Sequence, residues 1–433
     1  MGGLSRRALL CRTGVLGSAL ATGTVMPRHD SPSASAATRL SVLAPLPPDP
    51  APPGVAAFAE EELTTWERGH DVDVRYEAVR WPDLRDEIAL GFDGEDGAFD
   101  VVYMSSWVSE FSQFLAPIDD RLPVDLRRDL PASSFNAVLW DGSVFAVPYT
   151  LSLLTLFYNR EHFEAAGLNR PPATWDELKG YAQELTRGDE QYGWVLNYGA
   201  PRGIGGTASY WMAFLQQAGG TMYDDDGMPA FNDESGIDAL QFMIDLMPAT
   251  APSSLTSTGI IDATAVLKTG RASMMMNWPF MWKDAQDPTM SQLTGKLACA
   301  VLPAGAAGTA SIDGSDAWSI AASSENPDLA LELIEFYLAP EVQKRQVLDA
   351  GWLPIRLSIL ADPEVQQAAA NAAVVLEQAR HPYNSFVTPD YDAVTQVLGM
   401  EIQRALAGEK TAAEALNDGS AAVEALVLTR LSR

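Results

Sequence analysis

Residues 99–111 read FDVVYMSSWVSEF, and 99–104 are apolar apart from Asp100. A run of that length, rich in Val and aromatic side chains, suits a strand buried on both faces in a parallel sheet. The pattern alternates on the N-terminal side. Residues 40–43 form a short apolar strand, and after the proline-rich 44–54 the stretch 55–68 has helical spacing, with Val55, Phe58, Leu63 and Trp66 on one side. Residues 72–76 (VDVRY) alternate as a strand, and 81–90 read as a helix with Pro82 at its start. The order strand-helix-strand-helix-strand is that of a doubly wound α/β sheet, which binds ligands beyond the carboxyl ends of its strands. Ser105-Ser106-Trp107 falls at one such end.

On the C-terminal side, Trp140-Asp141-Gly142-Ser143 reads as a hairpin turn, and 151–158 (LSLLTLFY) as another buried strand. Residues 171–178 (PPATWDEL) feed a helix with Thr174 as N-cap and Glu177 three residues on. Asp224-Asp225-Asp226-Gly227 lacks the alternate spacing of a calcium loop and reads as a solvated turn. The stretches 390–404 and 412–428 are Ala-rich helices expected on the surface of a lobe. In 270–282, GRASMMMNWPFMW, three methionines precede a bend at Asn277-Trp278-Pro279. Pro279 excludes regular helix or central strand there. Trp278 and Phe280 are therefore either core rings or a flat platform for a ligand.

The length of 433 residues suits two domains. A formal net charge of -28 argues against nucleic acid and against an anionic membrane surface as partners. Ser5-Arg6-Arg7-Ala8-Leu9-Leu10 resembles a twin-arginine export motif, a Gly/Ala-rich apolar run follows, and Ala34-Ser35-Ala36 offers a cleavage site. Residues 1–36 thus read as an export signal, and an extracellular or cell-surface protein is expected. Cys11 precedes the apolar run, which makes it a poor lipid-attachment site, and Cys299 reads as a buried residue of an apolar strand. No Cys/His cluster offers a metal site, and no cofactor is expected.

With 147–161 (VPYTLSLLTLFYNRE), 171–178, 270–282, 326–343 (NPDLALELIEFYLAPEVQ) and 351–356 (GWLPIR), the stretch 99–111 completes an ordered set of motifs. The set resembles the extracellular solute-binding proteins of bacterial ABC importers, in the family that binds oligosaccharides, and is most similar to its maltose- and trehalose-binding branch. The resemblance implies a class II periplasmic-binding-protein-like fold. Its two α/β lobes would be 39–148 plus 303–361 and 149–302 plus 362–433, with the ligand held between them. Crossings would fall near Pro148-Tyr149, Leu302-Pro303 and Asp362. The implied partners are a carbohydrate and the transmembrane subunits of a permease, and a monomer is expected.

A pyranose has an apolar face that stacks on an aromatic ring and a rim of hydroxyls that needs polar partners. Trp278 and Phe280 match the family's stacking aromatics at its N-W-P-[YF] bend, while Trp107, Tyr149 and Trp352 fall at strand ends and crossings that would face the same cleft. The other five tryptophans considered, Trp66, Trp81, Trp140, Trp175 and Trp194, read as packing. The polar half departs from the family pattern. Ser152 stands where an Asp is common, Arg202 where a Glu is common, Phe386 where an Arg is common, and Asp316 where a stacking ring is common. Arg202 and Asp316 are the polar candidates; their bland readings are a solvated loop charge and a turn cap. Three functions are weighed. The leading one is a non-enzymatic receptor for a disaccharide-like sugar. The second is the same fold holding an acidic or phosphorylated sugar on Arg202. The third is a secreted glycoside-processing enzyme, for which the sequence sets no two carboxylates together.

Overall fold

The computed structural model describes residues 38–45, 55–93, 99–198, 206–255, 260–384 and 386–432. The export signal, the loop 46–54 and Arg202 lie outside the described residues.

Nine of the described strands form two main sheets, one for each of two α/β lobes, and the short pairs Leu139–Trp140 with Ser143–Val144 and Ser311–Ile312 with Tyr383–Asn384 stand apart from them. The first runs Val72–Val79, Thr38–Pro45, Val101–Met104, Ala317–Ile320, Val147–Pro148. Its first three strands are parallel, with Val42 opposite Val101, and Ala317–Ile320 is antiparallel to both neighbours. All of Val101–Met104 is buried, because Trp81–Asp93 and Pro327–Tyr337 pack helices on the sheet. The second sheet runs Leu297–Ala300, Thr155–Asn159, Ala272–Asn277, Tyr192–Trp194. Met274, Met275 and Met276 are fully buried in it. At about 1.5–3 kcal/mol for each large apolar side chain removed from water, they hold this strand in the core up to the bend. Helices Thr207–Ala218, Glu234–Leu246, Tyr391–Leu406 and Ala412–Leu431 pack together on the second lobe. The last starts from a reciprocal capping box of Thr411 and Glu414. Among the described residues no helix is long and apolar enough to cross a membrane.

Several local expectations hold. The Thr174 hydroxyl accepts the Glu177 N–H (3.3 Å). Asp141 and Gly142 take φ of 46° and 82°, the left-handed pair that a tight hairpin between Leu139–Trp140 and Ser143–Val144 requires. Asp224 closes its own turn by accepting the N–H groups of Asp226 (3.0 Å) and Met228 (2.8 Å).

The strand expected over 151–158 begins only at Thr155. Residues 149–154 instead lie beside 311–316. Tyr149 N–H donates to the Asp316 carbonyl (2.8 Å), Gly314 N–H to the Ser152 carbonyl (2.9 Å), and the Ser311 hydroxyl to the Leu154 carbonyl (3.2 Å). The two segments satisfy each other's polar groups and form a ribbon between the lobes. A third segment joins them where Ile355 N–H reaches the Tyr149 carbonyl (3.2 Å). The fully buried Gln343 clamps that junction, donating to the Tyr149 carbonyl (3.2 Å) and accepting from Ile355 N–H (3.0 Å). Upstream, Trp175 N–H bonds the Ala304 carbonyl (3.0 Å) and the Gln217 amide bonds the Ala310 carbonyl (2.8 Å).

Candidate functional site

The bend after the methionine strand is built by Asn277, which is completely buried. Its carbonyl oxygen accepts the Trp278 N–H (2.8 Å), and its amide donates to the Thr264 hydroxyl (3.1 Å) and the Met281 sulfur (3.0 Å). The Asn371 amide holds the Pro279 carbonyl (3.1 Å) from another helix. So fixed, the half-buried Trp278 lays its ring against Gly314 of the ribbon. A Cβ at Gly314 would stand 2.6 Å from Trp278 Cζ3 and 2.7 Å from Cη2, so glycine is what admits the ring. Phe280 is half-buried at the N-terminus of helix Met281–Gln286 and packs on the main core.

Two residues beyond Gly314, Asp316 is set by strand register. Ala317 lies opposite Met104 and Trp318 opposite Tyr103. The Tyr103 hydroxyl donates to Asp316 Oδ2 (2.9 Å), and Asp316 N–H donates to the Thr150 hydroxyl (3.1 Å). The residue keeps some exposure, but Oδ1 is fully covered and has no hydrogen-bond partner. Burial pushes the Asp316 pKa up to about 7, against the hydroxyls of Tyr103, Ser105 and Thr150, which pull it down; the neighbouring Asp313 adds repulsion. The turn cap of this segment is Asp313, whose carboxylate accepts Ser315 N–H (2.8 Å). Asp316 therefore does not serve as the cap.

Trp107 is fully buried after the third strand, its ring 5.8 Å from that of Trp81, and its Nε1 also lacks a partner. Trp81 in turn meets Tyr103 edge-on at 6.2 Å. Trp107, Trp81, Tyr103 and Asp316 thus form one continuous group, and Tyr149 joins it through edge contacts with Tyr103 (6.2 Å) and Trp318 (5.7 Å). Trp352 stands apart. It is half-buried against the small cluster of Val342 and Ala350. Its turn reaches the platform indirectly, because Lys283, on the helix after Phe280, donates to the carbonyls of Leu348 (3.3 Å) and Asp349. Phe386 stacks on Tyr223 (5.7 Å) inside the second lobe.

Sequence reasoning did not single out Tyr103 and gave Gly314 no role, while the packing expected of Trp81 is what its contacts with Tyr103 and Trp107 show. Tyr103 could have been found from period-2 alternation, since it shares a strand face with Ser105. Across the lobes, the buried Tyr391 hydroxyl lies near Ser106 of the first lobe and Ser209 of the second. Nearby, the Arg85–Glu110 ion pair of the first lobe feels the charge of Asp392 from the second. Among the described residues no three His, Cys, Asp or Glu side chains are arranged to share a metal ion.

Comparison with known proteins gives this geometry its setting. A probable ABC transporter-binding protein of Deinococcus radiodurans is 28% identical over 279 residues, 62% of this chain and 65% of the relative. The maltotriose-binding protein of Pyrococcus abyssi is 25% identical over 315 residues, 68% of this chain and 62% of the relative. The chain thus matches somewhat less than two thirds of the length of these relatives. The fold is shared with the maltose-bound MalE3 of T. maritima, at a TM-score of 0.79 and 23% identity, covering 90% of this chain and 100% of that one. The sequence model of the family described as bacterial extracellular solute-binding protein matches residues 50–344, well over half of the chain. The chain belongs to the bacterial extracellular solute-binding protein family.

Proposed function

We propose that this chain is the solute-capturing component of an ABC importer and holds a sugar or polyol, disaccharide-like in size, between its lobes for delivery to a permease. The observation that carries the reading is the meeting of the half-buried Trp278 ring with the ribbon at Gly314, two residues before Asp316, whose Oδ1 has no protein partner. A buried polar atom without a partner is costly, and sugar hydroxyls supply both donors and acceptors. The names of similar proteins support the solute class: they bind maltose, maltotriose, mannitol, ribitol and tagatose. The solute leaves unchanged, since binding free energy goes into lobe closure rather than chemistry. Trp278 and Asp316 contact it directly, Phe280, Tyr149 and the buried Trp107 back them, and Trp352 stands beside the approach; Arg202 is the further polar candidate.

The lobes are taken as 39–148 with 303–361 and 149–302 with 362–433. The bonds of Ala304 and Ala310 to Trp175 and Gln217 favour moving the second crossing from Leu302-Pro303 into the ribbon 311–316. The chain is exported through its N-terminal signal and works as a monomer at the cell surface. A thermal-shift screen of mono-, disaccharides and polyols tests the function, because a ligand that binds only the folded state raises Tm. The expected result is a shift with at least one sugar or polyol. Shifts only with amino acids or peptides would reject it.

A further inference from the structure

The helix Met281–Gln286 continues directly from Trp278, Pro279 and Phe280 and is fastened on two sides. Its own lobe holds it through Asn371, on the Pro279 carbonyl (3.1 Å), and through Gln286, which accepts Gly295 N–H (2.9 Å). On the other side Lys283 reaches into the first lobe, where Gln346–Ala350 forms a single π-helical turn packed on the helix Val55–His70. The last carbonyls of a helix lack partners within it. Gly351 N–H bonds the Val347 carbonyl (2.9 Å), and the Lys283 ammonium donates to the next two, Leu348 (3.3 Å) and Asp349. Gly351 admits the lysine stem: its φ is 77°, and a Cβ there would stand 2.6 Å from both Cβ and Cδ of Lys283. The turn also adjoins the crossings. Gln343, just before it, clamps Tyr149 and Ile355, and the Gln346 amide donates to the Trp352 carbonyl (3.4 Å).

Resting on the reading above that the solute is held between the lobes, we propose that Lys283 is a positioning residue for its capture, a latch whose ammonium caps the Gln346–Ala350 turn and so holds the Trp278–Phe280 platform against the first lobe. Donor and acceptors belong to different lobes, so the bond forms only when the lobes stand in this relation. A cation on helical carbonyls makes a charge-assisted bond, and the half-buried position of Lys283 screens it less than a surface pair is screened. Burial lowers the Lys283 pKa from its ordinary value, and the carboxylates of Asp349, Asp284 and Asp287 oppose that fall. Losing the cap lowers the population of the arrangement in which Trp278 and Asp316 face one solute, and the apparent affinity falls by that fraction. The contacts to the solute are untouched, so the loss is similar for every solute that needs both lobes.

The test compares three variants of the full chain with wild type. Lys283→Met keeps the stem against Gly351 and removes the ammonium, and Lys283→Arg keeps a cationic donor. The control, Lys179→Met, breaks the ion pair with Asp245 (3.0 Å) inside the second lobe. Small-angle X-ray scattering of the solute-free proteins reports the lobe arrangement. Stopped-flow tryptophan fluorescence with maltose, maltotriose, mannitol, ribitol and tagatose reports kon and koff. Lys283→Met is expected to enlarge the radius of gyration and to raise koff at least about fivefold for every probe that binds, with the order of preference among probes kept. Lys283→Arg should recover most of both effects, and Lys179→Met should show neither. A Lys283→Met protein that matches wild type or the control in scattering and koff would overturn the latch and leave the solute-binding function standing. An effect on koff confined to one probe would also overturn it, by making Lys283 a solute contact. If Lys283→Met does not fold, Lys283→Gln replaces it under the same expectations, and failure of both to fold would assign Lys283 to stability and overturn the latch. If no probe binds any of the proteins, the sugar-or-polyol reading falls and scattering alone decides the latch: expansion in Lys283→Met that Lys283→Arg reverses upholds it, and equal radii overturn it.

Discussion

Replacing Asp316 by Asn should stabilise the solute-free protein, and do so only at higher pH. The unfolded chain titrates this carboxyl near 3.8, whereas burial raises it to about 7 in the folded protein. The folded state therefore binds the proton more tightly. The stability this group contributes is complete below about pH 4 and is lost as the pH rises through about 7. At 1.36 kcal/mol per pH unit, the gap corresponds to about 4 kcal/mol of destabilisation at about pH 8. Asn retains an acceptor for the Tyr103 hydroxyl but turns a charge-assisted bond into a neutral one, which returns about 1 kcal/mol. The net gain of about 3 kcal/mol should raise Tm by roughly 3–4 °C at about pH 8, and by little at about pH 4.5. The groups that set the shift, Tyr103, Ser105, Thr150 and Asp313, are unchanged in the variant, so the difference between the two proteins isolates Asp316. Scanning calorimetry of both proteins across this range is the assay. Equal melting curves at about pH 8, or a variant less stable at about pH 8 than at about pH 4.5 relative to wild type, would refute the reasoning.

Four further outcomes follow from the geometry. Gly314→Ala sets a methyl group 2.6 Å from the Trp278 ring and should weaken solute binding at least tenfold, at a stability cost of about 1–3 kcal/mol, read by titration and indole fluorescence. Asn277→Ala removes the acceptor of Trp278 N–H and leaves buried groups unsatisfied, so chemical denaturation should show a loss of about 2–3 kcal/mol. Trp278→Ala should lower affinity more than tenfold with little change in circular dichroism, since the ring is only half-buried. Thr411→Ala should cost about 1 kcal/mol and speed amide exchange in the first turn of Ala412–Leu431, by breaking its capping box.

Much of the fold is written in local pattern. The apolar 99–104, the methionine run and the Thr174 cap each declare their environment within a few residues, because burial and capping depend on near neighbours in the chain. The ribbon does not. Residues 149–154 have strand composition, yet they bond to 311–316 and 355, and only pairing distant in sequence reveals that. The same holds for the site. Trp278 was legible from its proline bend, and Asp316 from its departure at a turn. Tyr103 and Gly314 became functional candidates only once the register of Ala317 opposite Met104 and the approach of the Trp278 ring were known. Trp107 was identified as a residue at a strand end, but its burial and unpartnered indole nitrogen come from packing against Trp81, which no spacing rule supplies.

The most direct measurement is a crystal structure of the full chain with the tightest-binding sugar or polyol of the thermal-shift screen. The account predicts the solute between the lobes, its ring face on Trp278 and its polar groups at Asp316. A solute bound elsewhere on the protein, touching neither Trp278 nor Asp316, would contradict it.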